Sequence, residues 1–167
     1  MNSNCPFSSL DTDIQAKKTT DSAKKIDLEQ LLRDGYTIRI KPQGTSMHPL
    51  FVSERDEAYI SPASPTSLRR GDVALYRRQS GILVLHRIWR IRSNGFYMVG
   101  DNQTEIEGPL SPDQMKGFLT GFVRKGHYTS VKNPIYRSLS AFWLAFRPLR
   151  PVIWKFTALL RTLFRRG

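Results

Sequence analysis

Period-two alternation of apolar and polar residues governs the middle of this chain. Tyr36, Ile38 and Ile40 alternate with Thr37, Arg39 and Lys41, the pattern of a strand with one buried face. Residues 57–61, 72–78, 82–92, 96–99 and 117–124 are further strand candidates. Pro62 and Pro65 make residues 61–67 a loop, and Gln79-Ser80-Gly81 is a turn that joins two long strands as a hairpin. Short strands punctuated by turn residues predict a mainly β, α+β fold built on a small antiparallel β domain, with no internal repeat.

Both ends depart from this period. Residues 1–25 are rich in Ser, Thr, Asp, Asn and Lys without periodicity and are expected to be disordered. A short helix is expected next, capped by Asp27 with Gln30 as in a capping box, carrying Leu28, Leu31 and Leu32 on one face and ending at Gly35. Beyond Val131 the pattern turns helical. Asn133 caps, Pro134 suits the first helical position, and Ile135, Leu139, Phe142, Trp143 and Phe146 recur at helical spacing. A second helix is expected over about 151–164, with Val152, Ile153, Phe156, Leu159, Leu160, Leu163 and Phe164 on one face. The organisation read from this is an N-terminal segment 1–25, a β domain over 26–131 and a basic amphipathic helical tail over 132–167.

Charge constrains the partners. Across 167 residues, 26 Lys and Arg stand against 14 Asp and Glu, a net +12, and from Ser138 to Gly167 there is no acid at all. A segment so one-sided favours an anionic surface, and residues 138–167 are expected to contact an anionic membrane peripherally, or else to pack on the domain or a partner protein. Nucleic acid is not expected, because residues 1–35 are too short and polar to supply a helix-turn-helix ahead of the β domain. The absence of an apolar leader and of any long uninterrupted apolar window leads to the expectation of a cytoplasmic protein or one lying at a membrane surface. Cys5 is the single cysteine, which excludes an intrachain disulfide. The three scattered histidines and that cysteine make no metal constellation, and no cofactor is expected.

The chemistry-bearing segment is Gly44-Thr45-Ser46-Met47-His48-Pro49-Leu50-Phe51, which follows a strand. Glycine allows a tight turn, and a serine just beyond it can stand at the rim of a sheet. Downstream come Leu68-Arg69-Arg70-Gly71-Asp72-Val73, then Leu83-Val84-Leu85-His86-Arg87-Ile88, then Val99-Gly100-Asp101-Asn102. In order and spacing these blocks resemble the LexA/signal-peptidase superfamily of serine peptidases over about residues 27–125. Its members with Lys on the base strand differ from this chain, which has no Lys over 82–92. His86-Arg87 resembles the His-type branch of endoplasmic-reticulum and archaeal signal peptidases.

The resemblance implies a Ser–His serine endopeptidase that cuts an extended peptide of the signal or leader type through an acyl-enzyme, with Ser46 as nucleophile and His86 as general base. A serine hydroxyl needs such a base, and an unperturbed imidazole titrates near neutrality, at about 6.5. In the His-type branch the acid completing the triad falls near Glu107. Glu105 and Asp101 are the alternatives, Asp101 being expected instead to buttress the site by accepting from loop N–H groups. The oxyanion donor is expected to be the Ser46 backbone N–H, with Thr45 as a candidate second donor, because the serine that some relatives carry two residues before the nucleophile is Gly44 here. Met47, Leu50 and Phe51 are candidates for an apolar substrate groove or for the core. Arg69, Arg70, Arg77 and Arg78 are read as a solvated strand edge. A different class of function remains open, a catalytically idle β module that binds a peptide or an anionic membrane surface.

Overall fold

A computed structural model describes residues 27–150. The expectations for 1–25 and for the helix over 151–164 lie outside the described residues. Among those described, eight strands form one antiparallel sheet and two α-helices flank it. Helix α1 is Leu28–Arg33. The strands are β1 (Ile38–Ile40), β2 (Asp56–Pro62), β3 (Val73–Arg77), β4 (Leu83–Arg92), β5 (Gly95–Val99), β6 (Glu107–Leu110), β7 (Met115–Arg124) and β8 (His127–Ser130), and helix α2 is Pro134–Ala145. The order across the sheet is β1-β2-β7-β3-β4-β5-β6, with β8 also on β7.

Local chemistry accounts for the ends of the helices. The Asp27 carboxylate accepts from the N–H groups of Glu29 and Gln30 at 3.0 and 3.2 Å, satisfying two orphan donors of α1. Gln30 does not close the expected capping box; its side chain turns to Asp34 and Arg33 instead. Asn133 caps α2 in the same way as Asp27, accepting from Ile135 and Tyr136.

The core lies on both faces of the sheet. Leu32, Ile38, Ile60, Leu75, Leu119 and Phe122 belong to one cluster, and Ala74, Tyr76, Ile88, Phe96, Met98 and Met115 to the other. Strand β3, flanked by β4 and β7, sends Leu75 into the first cluster and Ala74 and Tyr76 into the second, so it is buried on both faces from Val73 to Tyr76 rather than alternating. The strands over 57–61, 72–78, 82–92, 96–99 and 117–124 form within two residues of the expected bounds. β6 and β8 were not expected from the pattern. Gly108-Pro109 breaks any alternation in β6, and β8 is short and polar.

Helix α2 presents most of its apolar residues outward. Ser140 and Leu144 are its buried residues, while Ile135, Leu139, Phe142 and Phe146 point to solvent. The helix sits on the domain through its narrower side, with Tyr136 against Phe122 at a ring separation of 5.3 Å. No helix among the described residues is long and apolar enough to cross a membrane.

Candidate active site

Ser46 stands in the loop between β1 and β2, held from both ends. Gly44 has φ +84°, in the left-handed region that favours glycine, and its carbonyl accepts from the Ser53 hydroxyl. Met47 and Phe51 are buried; the Phe51 N–H bonds to the Met47 carbonyl at 2.9 Å and the Phe51 ring meets Phe122 edge-on. Asp56, buried and paired with Arg55 and Arg124, accepts from the Val52 N–H at 2.8 Å, and Arg124 also donates to the Leu50 carbonyl.

A second loop, residues 100–104, closes on the first. The Asn102 N–H donates to the Ser46 carbonyl at 2.7 Å. Gly100 lies so close that a Cβ there would sit 2.6 Å from that carbonyl oxygen, which explains glycine at this position. Helix α2 and the turn after it clamp the outside of this loop. The Trp143 indole N–H donates to the Asp101 carbonyl at 2.7 Å and Arg147 to the Thr104 carbonyl at 2.6 Å. Arg150, buried, donates to the carbonyls of Gly100 and Gln103 at 3.0 and 2.6 Å.

His86 comes from β4, directly across from Ala74 on β3. It lines, with Ser46, a cavity of about 470 Å³ whose other walls include Ile40, Met47, Phe51, Leu75, Leu85 and Gln103. No hydrogen bond joins Ser46 to His86 among the described residues. Catalytic hydrogen bonds are often long in unliganded sites and tighten when substrate arrives. β5 pairs with β4 only from Arg87 onward, so among the described residues no strand covers that side of residues 83–86, which line the cavity.

The far nitrogen of the imidazole is engaged. The Tyr76 hydroxyl lies 3.1 Å from His86 Nδ1 and donates its proton to Glu107 Oε2 at 2.6 Å. A hydroxyl has one proton. With that proton on the carboxylate side, the tyrosine oxygen can only accept from the ring, so Nδ1 carries the hydrogen and Nε2 keeps its lone pair. Glu107 is fixed in turn by Arg78, which donates through Nε and Nη2 at 2.7 and 2.6 Å.

These neighbours set the protonation states. Burial pushes the His86 imidazole down to about 4, opposed by the nearby Glu107 charge and reinforced by Arg78. Burial also raises the Tyr76 phenol, and its hydrogen bond to Glu107 raises it further, so it stays protonated. Burial alone would raise Glu107, but the hydrogen bonds from Arg78 and Tyr76 outweigh it and hold the carboxyl below its ordinary value. At neutral pH the site therefore holds a neutral imidazole and an ionised carboxylate.

Several expectations need correction. Glu107 reaches His86 only through Tyr76, because the phenol occupies the space between them. Among the described residues the Asp101 carboxylate accepts no loop N–H; it takes a bidentate pair from Arg87 at 2.8 and 2.7 Å, and both side chains are buried. Glu105 does not line the cavity. Nor does Leu50, nor Thr45, which is exposed; Gly44, Ser46, Met47 and Phe51 do. The arginine edge is divided: Arg77 pairs with Glu29 and Arg78 with Glu107, while Arg69 and Arg70 are elsewhere and exposed. Asp72 closes the turn at Gly71 by accepting from the Arg69 N–H at 2.8 Å.

Tyr76 and Gln103 were not singled out in the sequence, and Arg78 was read there only as part of a solvated edge. The only signal for Tyr76 was a phenol in an otherwise apolar strand, since a buried hydroxyl must find a partner. Among the described residues no group of His, Cys, Asp and Glu is placed to hold a metal ion. No family model and no curated protein matches this chain.

Proposed function

We propose that the chain is a serine endopeptidase of the LexA/signal-peptidase type, the His-type branch, acting on an extended peptide segment of a precursor protein. One observation carries the reading: Ser46 and a neutral, tautomer-fixed His86 line the same cavity. The order of the four sequence blocks supports the finer fold assignment, and the antiparallel sheet is the scaffold such a fold requires.

Each step assigns a proton. His86 Nε2 takes the hydroxyl proton of Ser46 as its Oγ attacks the peptide carbonyl. The resulting imidazolium is stabilised through Tyr76 by the Glu107 carboxylate, which holds the ring as the acid of a triad does. The Ser46 N–H, which has no hydrogen-bond partner among the described residues, donates to the oxyanion. The imidazolium returns the proton to the leaving amine, giving the acyl-enzyme. Water then attacks the ester with His86 as base again, and the proton goes back to Ser46 Oγ as the acid product leaves. The substrate binds as an added strand on the free edge of β4 at residues 83–86, a common way for exposed sheet edges to hold peptides.

Ser46→Ala and His86→Ala are each expected to lower cleavage of an unstructured reporter peptide by about 10³-fold or more while the protein stays folded. A fluorophosphonate should label wild type at Ser46. If wild type resists labelling and S46A binds the same peptide as tightly, the chain is a binding module and the enzyme reading is wrong.

A further inference from the structure

The outer side of α2 is an apolar stripe without a partner. Ile135, Leu139, Phe142, Phe146 and Leu149 are exposed, Ile135 at 70% and Phe142 at 57%. Phe142 and Phe146 stack with their ring centroids 4.1 Å apart. Single exposed apolar residues are ordinary, but a run one and two turns apart along one helix marks an interaction surface.

Arginines gather beside it. Trp89 of β4 lies under Arg90 at 4.7 Å and under Arg147, from the turn after α2, at 5.2 Å. Arg70 donates to the Trp89 carbonyl at 3.1 Å. Arg69, Arg70, Arg90 and Arg92 are exposed and make no ion pair among the described residues, and the same holds for Lys132 and Arg137 at the start of α2. Trp89 thus joins the basic cluster to the end of the apolar helix.

We propose that this face, the α2 stripe with the arginines around Trp89, docks the protein on the surface of an anionic lipid bilayer. Charge decides between the occupants. The chain runs on from Arg150 through residues 151–167 with Lys155, Arg161, Arg165 and Arg166 and no acid. Folding that segment back, or seating a second copy on the stripe, would set cations against cations. A bilayer takes the Leu and Phe side chains at the boundary of headgroups and acyl chains, and its phosphates neutralise the arginines. The inner side of α2 holds the 100–104 loop, so docking also brings the rim of the Ser46 cavity close to the bilayer.

The test is sedimentation of the full chain with vesicles of phosphatidylcholine alone and of equal parts phosphatidylcholine and phosphatidylglycerol, at low and high salt. It does not depend on any enzymatic activity. Wild type is expected to sediment with the mixed vesicles, less so at high salt, and to stay in solution with phosphatidylcholine. L139D/F142D should weaken binding by about tenfold or more, given the apolar area these side chains would bury in the bilayer. The independent variant R69Q/R90Q should weaken it by about fivefold for each arginine, and melting curves report whether each variant is folded. The proposal is overturned if wild type ignores the mixed vesicles, if a folded variant of each kind binds as wild type does, or if wild type instead forms dimers that L139D/F142D dissolves.

Discussion

His86 and Arg87 are neighbours on β4 and point to opposite faces of the sheet, yet their surroundings have almost nothing in common. Arg87 is 1% exposed and meets Asp101 in a bidentate pair, with the Gly71 carbonyl taking a further donor at 2.8 Å. The pair overcomes the cost of burial, and the guanidinium is held more firmly protonated than in water. His86 is 3% exposed and meets a neutral hydroxyl. There burial prevails and the ring gives up its charge. One step along the strand separates a closed ionic lock from a relay that ends on a ring lining the cavity. The difference shows how a single strand can supply both a fixed charge and a neutral titratable group: the charge is satisfied on the side that only supports, and withheld at the residue that lines the cavity.

The lock is where the largest loss of stability should appear. Asp101→Ala leaves a buried guanidinium without its counter-charge, and breaking such a pair costs about 3–5 kcal/mol. Urea unfolding should show that loss. A loss below about 1 kcal/mol would mean that water or a shifted backbone replaces the carboxylate, and the contrast with His86 would collapse.

The relay should reveal itself in the pH dependence. The folded-state pKa of His86 is depressed to about 4, against about 6.5 for the unfolded chain. Between these values the unfolded chain binds a proton that the folded protein refuses, so stability is full above pH 6.5 and falls as pH drops towards 4. The contribution is about 3 kcal/mol. His86→Gln should flatten this part of the stability curve. In an active enzyme the acid limb of kcat/KM should lie near 4, well below that of an ordinary histidine; a limb at 6.5 would show an imidazole in contact with water.

Tyr76→Phe comes next in size and separates the relay from simple packing. It leaves the ring in place and strips Nδ1–H of its acceptor, which costs about 1–3 kcal/mol in a buried site. The tautomer is no longer fixed, so kcat should fall by roughly tenfold to a hundredfold with KM nearly unchanged. Glu107→Gln is the companion: its charge raises the His86 pKa, so losing it should move the acid limb further down. If Y76F keeps wild-type kcat, Glu107 acts on His86 by some other route.

How much of this could be read from the sequence follows from what each residue needs. Alternation placed most strands because β1 and β2 bury one set of side chains and leave the other half-buried or exposed. The spacing of the blocks around Ser46, His86 and Asp101 was visible because loops and strand ends carry distinctive residues. Tyr76 was not visible as a relay, since both neighbours of β3 bury it and an aromatic residue there looks like core. Asp101 was legible as important but not as the partner of Arg87, because a bidentate pair depends on a loop closing on the middle of a strand fourteen residues away in sequence. Arg150 was the hardest: a guanidinium in a basic tail reads as solvated, and only the fold turns it inward onto the Gly100 and Gln103 carbonyls.

That inward turn yields the smallest of these effects and tests how far the contrast between support and reaction extends. Trp143 is not among the walls of the cavity, and its indole N–H bonds to the carbonyl of Asp101, the acid of the lock. The next residue, Asn102, donates to the Ser46 carbonyl. Trp143→Phe keeps most of the ring and deletes one donor, a loss of about 1 kcal/mol. The lock itself survives, because the Asp101 carboxylate and Arg87 are untouched. What loosens is the 100–104 loop and, through Asn102, the backbone that carries the Ser46 N–H. Activity should therefore fall by only about fivefold, with the acid limb unmoved, since no group that titrates His86 has changed. Amide exchange at Asn102 and Gln103 should quicken while exchange along β4 stays at the wild-type rate. If β4 exchanges faster as well, the helix supports the whole sheet, and support and reaction are not the separate structures that residues 86 and 87 suggest.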